Sequence, residues 1–146
     1  MHKIVALDKR HIADIAEIER ASFKTPWSHA MLMNELKNPL ATYFVVENEG
    51  KPLAYIGFYR ILDEAHITNI AVRPDVRGQG IANSLLKYAL DKIKELKIKR
   101  VTLEVNEKNT AAIALYEKFG FTEEGRRPKY YEGEDDALIY WLKTGE

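Results

Sequence analysis

The chain has 146 residues, 46% of them hydrophobic and 30% charged, with 22 Lys and Arg balanced by 22 Asp and Glu; this describes one globular domain over 1–146 that can bury a core unaided. With no cysteine, a disulfide framework, a thiolate metal site and a cysteine nucleophile are excluded, and zero net charge gives no electrostatic case for nucleic acid. No run approaches the roughly 18 apolar residues of a membrane span, so a soluble cytoplasmic protein is expected, with no membrane partner.

The first element reads as a strand over 3–7. Asp8 is placed to cap a helix running to about Phe23, with Ile12, Ile15, Ala16 and Phe23 on its apolar side. Thr25-Pro26-Trp27-Ser28 breaks that helix. Ser28 caps a second, short one with Leu32 and Leu36 one turn apart, and Asn38-Pro39 ends it. Strands follow over 43–47, 53–61 and 65–72, separated by Asn48-Glu49-Gly50-Lys51 and by Asp63-Glu64. They read as an antiparallel meander whose middle strand, apolar on both faces, is central in the sheet.

After Arg73-Pro74-Asp75 the period changes. A helix over about 80–96 carries Ile81, Leu85, Ala89, Ile93 and Leu96 on one stripe, and a strand over 101–105 follows. Strand, loop, helix and strand make one right-handed crossover, so 65–72 and 101–105 are expected to be parallel neighbours. A shorter helix over about 110–119 has Ala112, Leu115, Tyr116 and Phe119 on one side and Gly120 as its stop. Two last strands, 122–130 and 137–142, are joined by Glu132-Gly133-Glu134. The fold class is α+β: a mixed sheet with flanking helices, without repeats or linkers.

The most informative segment is Ile70-Ala71-Val72-Arg73-Pro74-Asp75-Val76-Arg77-Gly78-Gln79-Gly80-Ile81-Ala82-Asn83. A strand ends and a helix begins within a few residues, and the first turn of a helix offers unpaired N–H groups and a positive dipole end to a phosphate. Gly78 and Gly80 allow backbone angles that other residues avoid and a close approach to a pyrophosphate. Two other phosphate motifs fit less well. A Walker A loop would need Gly-x-x-x-x-Gly-Lys-Ser/Thr, which is absent. A dinucleotide fingerprint would need glycine at Asn83; it finds an acidic residue further on, Glu104, but not the repeated crossovers of that fold.

Arg77, Gly80 and Ala82 match the coenzyme A signature Arg/Gln-x-x-Gly-x-Gly/Ala, and the run resembles the GNAT family of N-acetyltransferases. Asn69-Ile70-Ala71-Val72, Leu103-Glu104-Val105-Asn106 and the stretch from Asn109 through Leu115-Tyr116 to Gly120-Phe121 extend the likeness over almost the whole chain. The last is close to the pattern of the RimI branch, which acetylates the N-terminal alanine of a small-subunit ribosomal protein. The resemblance implies a parallel strand pair splayed near Val72 and Val105, with the pantetheine arm of acetyl-coenzyme A in the gap against backbone groups of Ile70, Ala71 and Val72. The pyrophosphate is expected on the backbone of Gly78, Gln79, Gly80, Ile81, Ala82 and Asn83, with Arg77 in the signature and Asn109 touching the pantetheine arm.

An amine attacks a thioester only when neutral. At pH 7 neutralising an α-amine costs about 1.4 kcal/mol and a lysine about 4.6 kcal/mol, so a modest base serves the first. The resemblance points to Glu104 as that base and to Tyr116 as the acid that protonates the departing sulfur, with the Val72 N–H donating to the carbonyl oxygen. On the bland reading Glu104 is a solvated strand-end glutamate and Tyr116 is core. His66 is an alternative base; the four histidines have no metal spacing, and no metal is expected.

The family's acceptor groove falls between 23–36 and 129–136. Trp27, Tyr130 and Tyr131 are its expected aromatic walls, and Glu132, Glu134, Asp135 and Asp136 an acidic run suited to a basic peptide, or a solvated hairpin turn. The expected partner is the N-terminal peptide of a protein acceptor, ribosomal by the resemblance. The alternatives are a lysine or small-molecule acetyltransferase and a non-catalytic acetyl-coenzyme A-binding module; Arg126 and Arg127 are left unassigned.

Overall fold

In the computed structural model, which describes residues 2–131 and 133–145, the chain runs β1 (His2–Ala6), α1 (Ile12–Ser22), α2 (His29–Glu35), β2 (Ala41–Asn48), β3 (Lys51–Ile61), β4 (Glu64–Val72), α3 (Ile81–Glu95), β5 (Arg100–Asn106), α4 (Thr110–Lys118), β6 (Thr122–Tyr131) and β7 (Asp135–Lys143). Among the described residues the strands form one sheet in the order β1-β2-β3-β4-β5-β7-β6. Neighbours are antiparallel except β4 and β5, the pair that the crossover through α3 makes parallel.

Helices cover both faces. Ile12, Ile15, Ala16 and Ile18 of α1 and Leu32 of α2 pack on Tyr43, Val45, Tyr55 and Ala71. On the other face Leu85, Leu86, Ala89 and Ile93 of α3 and Tyr116 of α4 pack on Ala54, Ile56, Phe58, Leu103 and Val105. β3 is thus buried on both sides, as its unbroken apolar run demands. Two stripe residues fall outside this core. Leu36 and Leu96 lie just past the ends of α2 and α3 and are 36% and 40% exposed; the chain turns there, and Ile98, two residues after Leu96, takes the buried place.

Caps fix the helix starts. Ser28 Oγ accepts the Met31 N–H, opening α2. Asp8 caps a single 3-10 turn, Lys9–His11, that leads into α1. The Asp8 N–H donates to His11 Nδ1 at 2.9 Å, which leaves the hydrogen on Nε2 to donate to Glu47 Oε2 at 2.8 Å. Both side chains are buried, and Arg10 reaches the same carboxylate at 3.0 Å. His11 and Arg10 hold the Glu47 carboxyl below its usual range.

One irregularity positions the site. Phe58 pairs with Ile67 and Gly57 with Asn69, so Thr68 is an extra residue, a bulge in β4. The parallel ladder with β5 covers Glu64 to Ile67 against Arg100 to Leu103 and goes no further. Beyond it β4 stays paired to β3 and β5 to β7, while the two strands part. The split therefore opens at Thr68 and Glu104, earlier than the expected Val72 and Val105, because the bulge turns β4 away at that point.

Candidate active site

At the far end of the split the chain leaves β4 through Arg73, makes a short turn at Pro74–Val76 and enters α3. Gly78 and Gly80 have φ of 81° and 80°, a region that costs a residue with a side chain about 1–2 kcal/mol. A Cβ at either would meet open space, so the backbone angle and not crowding within the chain requires glycine here. Gly80 is the N-cap and has no side chain to offer, so no side chain caps α3 and the N–H groups of Ile81, Ala82 and Asn83 emerge at the helix end without an intrahelical acceptor. The Ile81 side chain is core, leaving only its N–H for a ligand. Gln79 is exposed, and Ala82 and Asn83 are half-buried. The Arg77 guanidinium folds back on the strand, donating to the Val72 carbonyl at 3.0 Å and to Ser22 Oγ at 3.2 Å.

The backbone that lines the split can be assigned from alternation. The Arg73 N–H donates to the Leu53 carbonyl at 2.8 Å, on the β3 side. Successive residues of a strand point their N–H groups to opposite sides, so the N–H and carbonyl of Val72 and of Ile70 face β5 across the gap. Ala71 differs from the expectation: its backbone turns to β3 and its side chain packs with α1, so the Ile70 N–H and carbonyl and the Val72 N–H supply the exposed ladder, the Val72 carbonyl being taken by Arg77. Open strand groups on one side and uncapped helix N–H groups at the end suit an extended amide-bearing arm that finishes in a pyrophosphate.

Alternation in β5 buries Val101, Leu103 and Val105 and turns Thr102 and Glu104 to the opposite face. Glu104 is 15% exposed; His66 Nε2 lies 3.3 Å from Oε1 and Arg127 Nε 2.9 Å from Oε2, the latter an ion pair at an angle too oblique for a hydrogen bond. Tyr116 is 5% exposed and packs on Phe121. Burial, and secondarily Tyr131, pushes its phenol up. Asn109 caps α4, its Oδ1 accepting the Ala112 N–H at 3.2 Å. Ile70, Glu104, Asn109, Tyr116, Trp27, Tyr130 and Tyr131 all line one cleft of about 820 Å³.

Trp27 stands edge-on to Tyr43 and Tyr130 to Tyr131. Tyr131 is pushed up to about 12 by burial and then by Glu104 and Tyr130. The acidic run differs from its expected use. Asp135 pairs with Lys108 at 2.7 Å, Asp136 with Arg126 at 2.5 Å and Glu134 with Lys24 at 3.5 Å, so these carboxylates are matched within the chain; Glu132 lies outside the described residues. Arg126 finds its partner in this run and Arg127 in Glu104, pairings that spacing alone did not show.

A buried carboxylate in the cleft was missed. Glu19, 1% exposed, accepts hydrogen bonds from the Tyr55 hydroxyl, the Trp27 N–H at 2.8 Å and Asn69 Nδ2 at 3.3 Å. It ties α1 to β3, to the split edge of β4 and to the segment that carries Trp27, and burial raises its carboxyl above the usual range. A signal was present: Glu19 continues the stripe of Ile12, Ile15 and Ala16, where a charge is out of pattern.

The model of the Acetyltransferase (GNAT) family matches residues 12–121. The chain belongs to this family. Like other GNAT proteins it is an N-acetyltransferase that uses acetyl-coenzyme A, and its α+β sheet with the split parallel pair is the GNAT fold. Among GNAT relatives, the ribosomal protein bS18-alanine N-acetyltransferase of Escherichia coli K12 is 34% identical over 145 residues, 97% of each chain. A Bacillus subtilis protein provisionally given that name is 40% identical over 137 residues, 92% of this chain and 91% of the other. The crystal structure of the Escherichia coli ribosomal-protein-S18-alanine N-acetyltransferase superposes with a TM-score of 0.92 at 33% identity, covering 100% of this chain and 96% of that one. A chain of the NatC complex bound to Gag peptide and CoA gives 0.84 at 26% identity, covering 97% and 98%.

Proposed function

We propose that this enzyme acetylates the N-terminal α-amine of a protein, and that its acceptor is the N-terminal alanine of ribosomal protein bS18. The acceptor is named from the relatives; the observation that supports α-amine chemistry is Glu104, a carboxylate in the cleft at the mouth of the split, across from the buried Tyr116. Acetyl-coenzyme A supplies an activated acyl carbonyl and a thiolate leaving group. Glu104 takes the proton from the α-ammonium, directly or through a water, and an α-amine asks little of such a base. The Val72 N–H, turned into the split, donates to negative charge building on an acyl oxygen there. Tyr116, which burial keeps protonated at neutral pH, gives its proton to the sulfur as the C–S bond breaks, and the second proton that the nitrogen sheds on becoming an amide restores the phenol. Transfer is by direct attack, in keeping with a chain that has no cysteine to carry the acyl group.

Mass spectrometry of two basic peptides incubated with enzyme and acetyl-coenzyme A tests the acceptor. One has a free N-terminal alanine and no lysine; the other has a blocked N-terminus and one internal lysine. Acetylation of the first alone is expected. Acetylation of the lysine peptide alone, or of neither, would overturn the reading.

A further inference from the structure

Glu104 must lose the proton it takes before the next turnover, and the surroundings limit where that proton can go. The carboxylate is 15% exposed and opens on the cleft, the space that acceptor and coenzyme would fill. Four groups near it need to be weighed. Arg127 sits on Oε2, but a guanidinium carries its full complement of hydrogens and accepts none. Tyr131, beside Glu104 and pushed up to about 12, and the buried Tyr116 both hold their own protons at neutral pH. His66 remains. Its Nε2 lies 3.3 Å from Oε1, its side chain is 39% exposed, and it is the one histidine among the residues lining the cleft. Imidazole both accepts and releases protons near neutrality.

The β4 bulge accounts for the placement. His66 is opposite Thr102 in the last stretch of the parallel ladder, so it shares a face with Thr102 and Glu104 just before the strands part. Its other neighbour on that face is Tyr59 of β3, whose hydroxyl is taken up by Glu35 of α2 at 2.5 Å. Among the described residues the charged or titratable groups on this side of the cleft are Glu104, its neighbours Arg127 and Tyr131, and the Tyr59–Glu35 pair, and Glu104 is within ion-pair distance of the ring.

We propose that His66 is the proton outlet of Glu104, a positioning and relay residue that restores the base after each transfer. This rests on the reading of Glu104 as the base. The N–H bond of the α-ammonium breaks as an O–H bond forms on Glu104. That O–H bond then breaks as an N–H bond forms at His66 Nε2, with the ring entering as its Nδ1–H tautomer. The imidazolium, more open than the carboxylate, gives one proton to water as product leaves the cleft and regains that tautomer by exchange with solvent. Arg127 stays paired by charge with the second oxygen, Oε2, leaving Oε1 to face His66.

The test is steady-state kinetics of His66→Ala with the N-terminal alanine peptide in low buffer, followed by addition of imidazole. The expected result is a fall in kcat of roughly 10²-fold, the lower edge of what proton-transfer groups contribute. KM for acetyl-coenzyme A stays near the wild-type value, and added imidazole restores kcat in proportion to its free-base concentration. Wild-type kcat, or a loss that imidazole does not repair, overturns the relay. If the wild-type enzyme fails to acetylate that peptide, the acceptor reading falls instead, and the same His66→Ala and imidazole-rescue comparison on an amine that the enzyme does acetylate decides the relay.

Discussion

Glu104 and Tyr116 can be separated by substitutions that preserve shape. Glu104→Gln keeps the size and the neighbours of the side chain but cannot take a proton, so kcat should fall by about 10²-fold or more while calorimetry still detects coenzyme A binding. Tyr116→Phe keeps the ring against Phe121 and removes only the hydroxyl; transfer should slow with little change in Tm. Full activity in the second variant would return Tyr116 to a packing role. Glu47 makes a prediction about stability. Its folded carboxyl titrates below the unfolded value of 4.5, so it binds fewer protons in the folded state, and its contribution is present above that value and lost as pH falls through the lower one. Glu47→Gln should therefore melt earlier than wild type at pH 7, with the two curves converging in acid. Parallel curves across that range would mean that the His11 and Arg10 contacts do not discriminate between the two protonation states.

At the scale of elements, the strand-loop-helix unit carries the coenzyme site through backbone conformation. Gly80→Ala places a side chain at φ 80°, which should cost about 1–2 kcal/mol and raise KM for acetyl-coenzyme A without raising KM for the peptide. A variant with unchanged KM for both would detach this turn from coenzyme binding. The same unit was the most legible part of the sequence, because glycine spacing, the change of hydrophobic period and the crossover rule are all local. Helix caps at Asp8 and Ser28 were legible for the same reason. What escaped was long-range. Glu19 meets Asn69 and Tyr55 only after α1 docks on the sheet. Arg127 reaches Glu104 through a β6 register broken by irregularities on either side of the 125–127 pairing, and no spacing rule predicts how many residues such breaks absorb. Leu36 and Leu96 looked like core because periodicity does not mark where a helix stops.

For the whole molecule, the sheet is two antiparallel blocks, β1 to β4 and β5 to β7, joined by four parallel pairs and by α3. The open edge between the blocks is an unpaired ladder inside a folded protein. Hydrogen exchange should show it directly: acetyl-coenzyme A is expected to slow the amides of Ile70 and Val72 and to leave Ala71, already turned to β3, unchanged. Equal protection of all three would refute the alternation assigned to β4.

The ion pair between Lys24 and Glu134 links the segment after α1 to the β6–β7 hairpin, two walls of the acceptor cleft. The tie is solvent-exposed and worth at most about 1 kcal/mol, so the two walls are joined by a contact that opens on thermal fluctuation and weakens further as ionic strength rises.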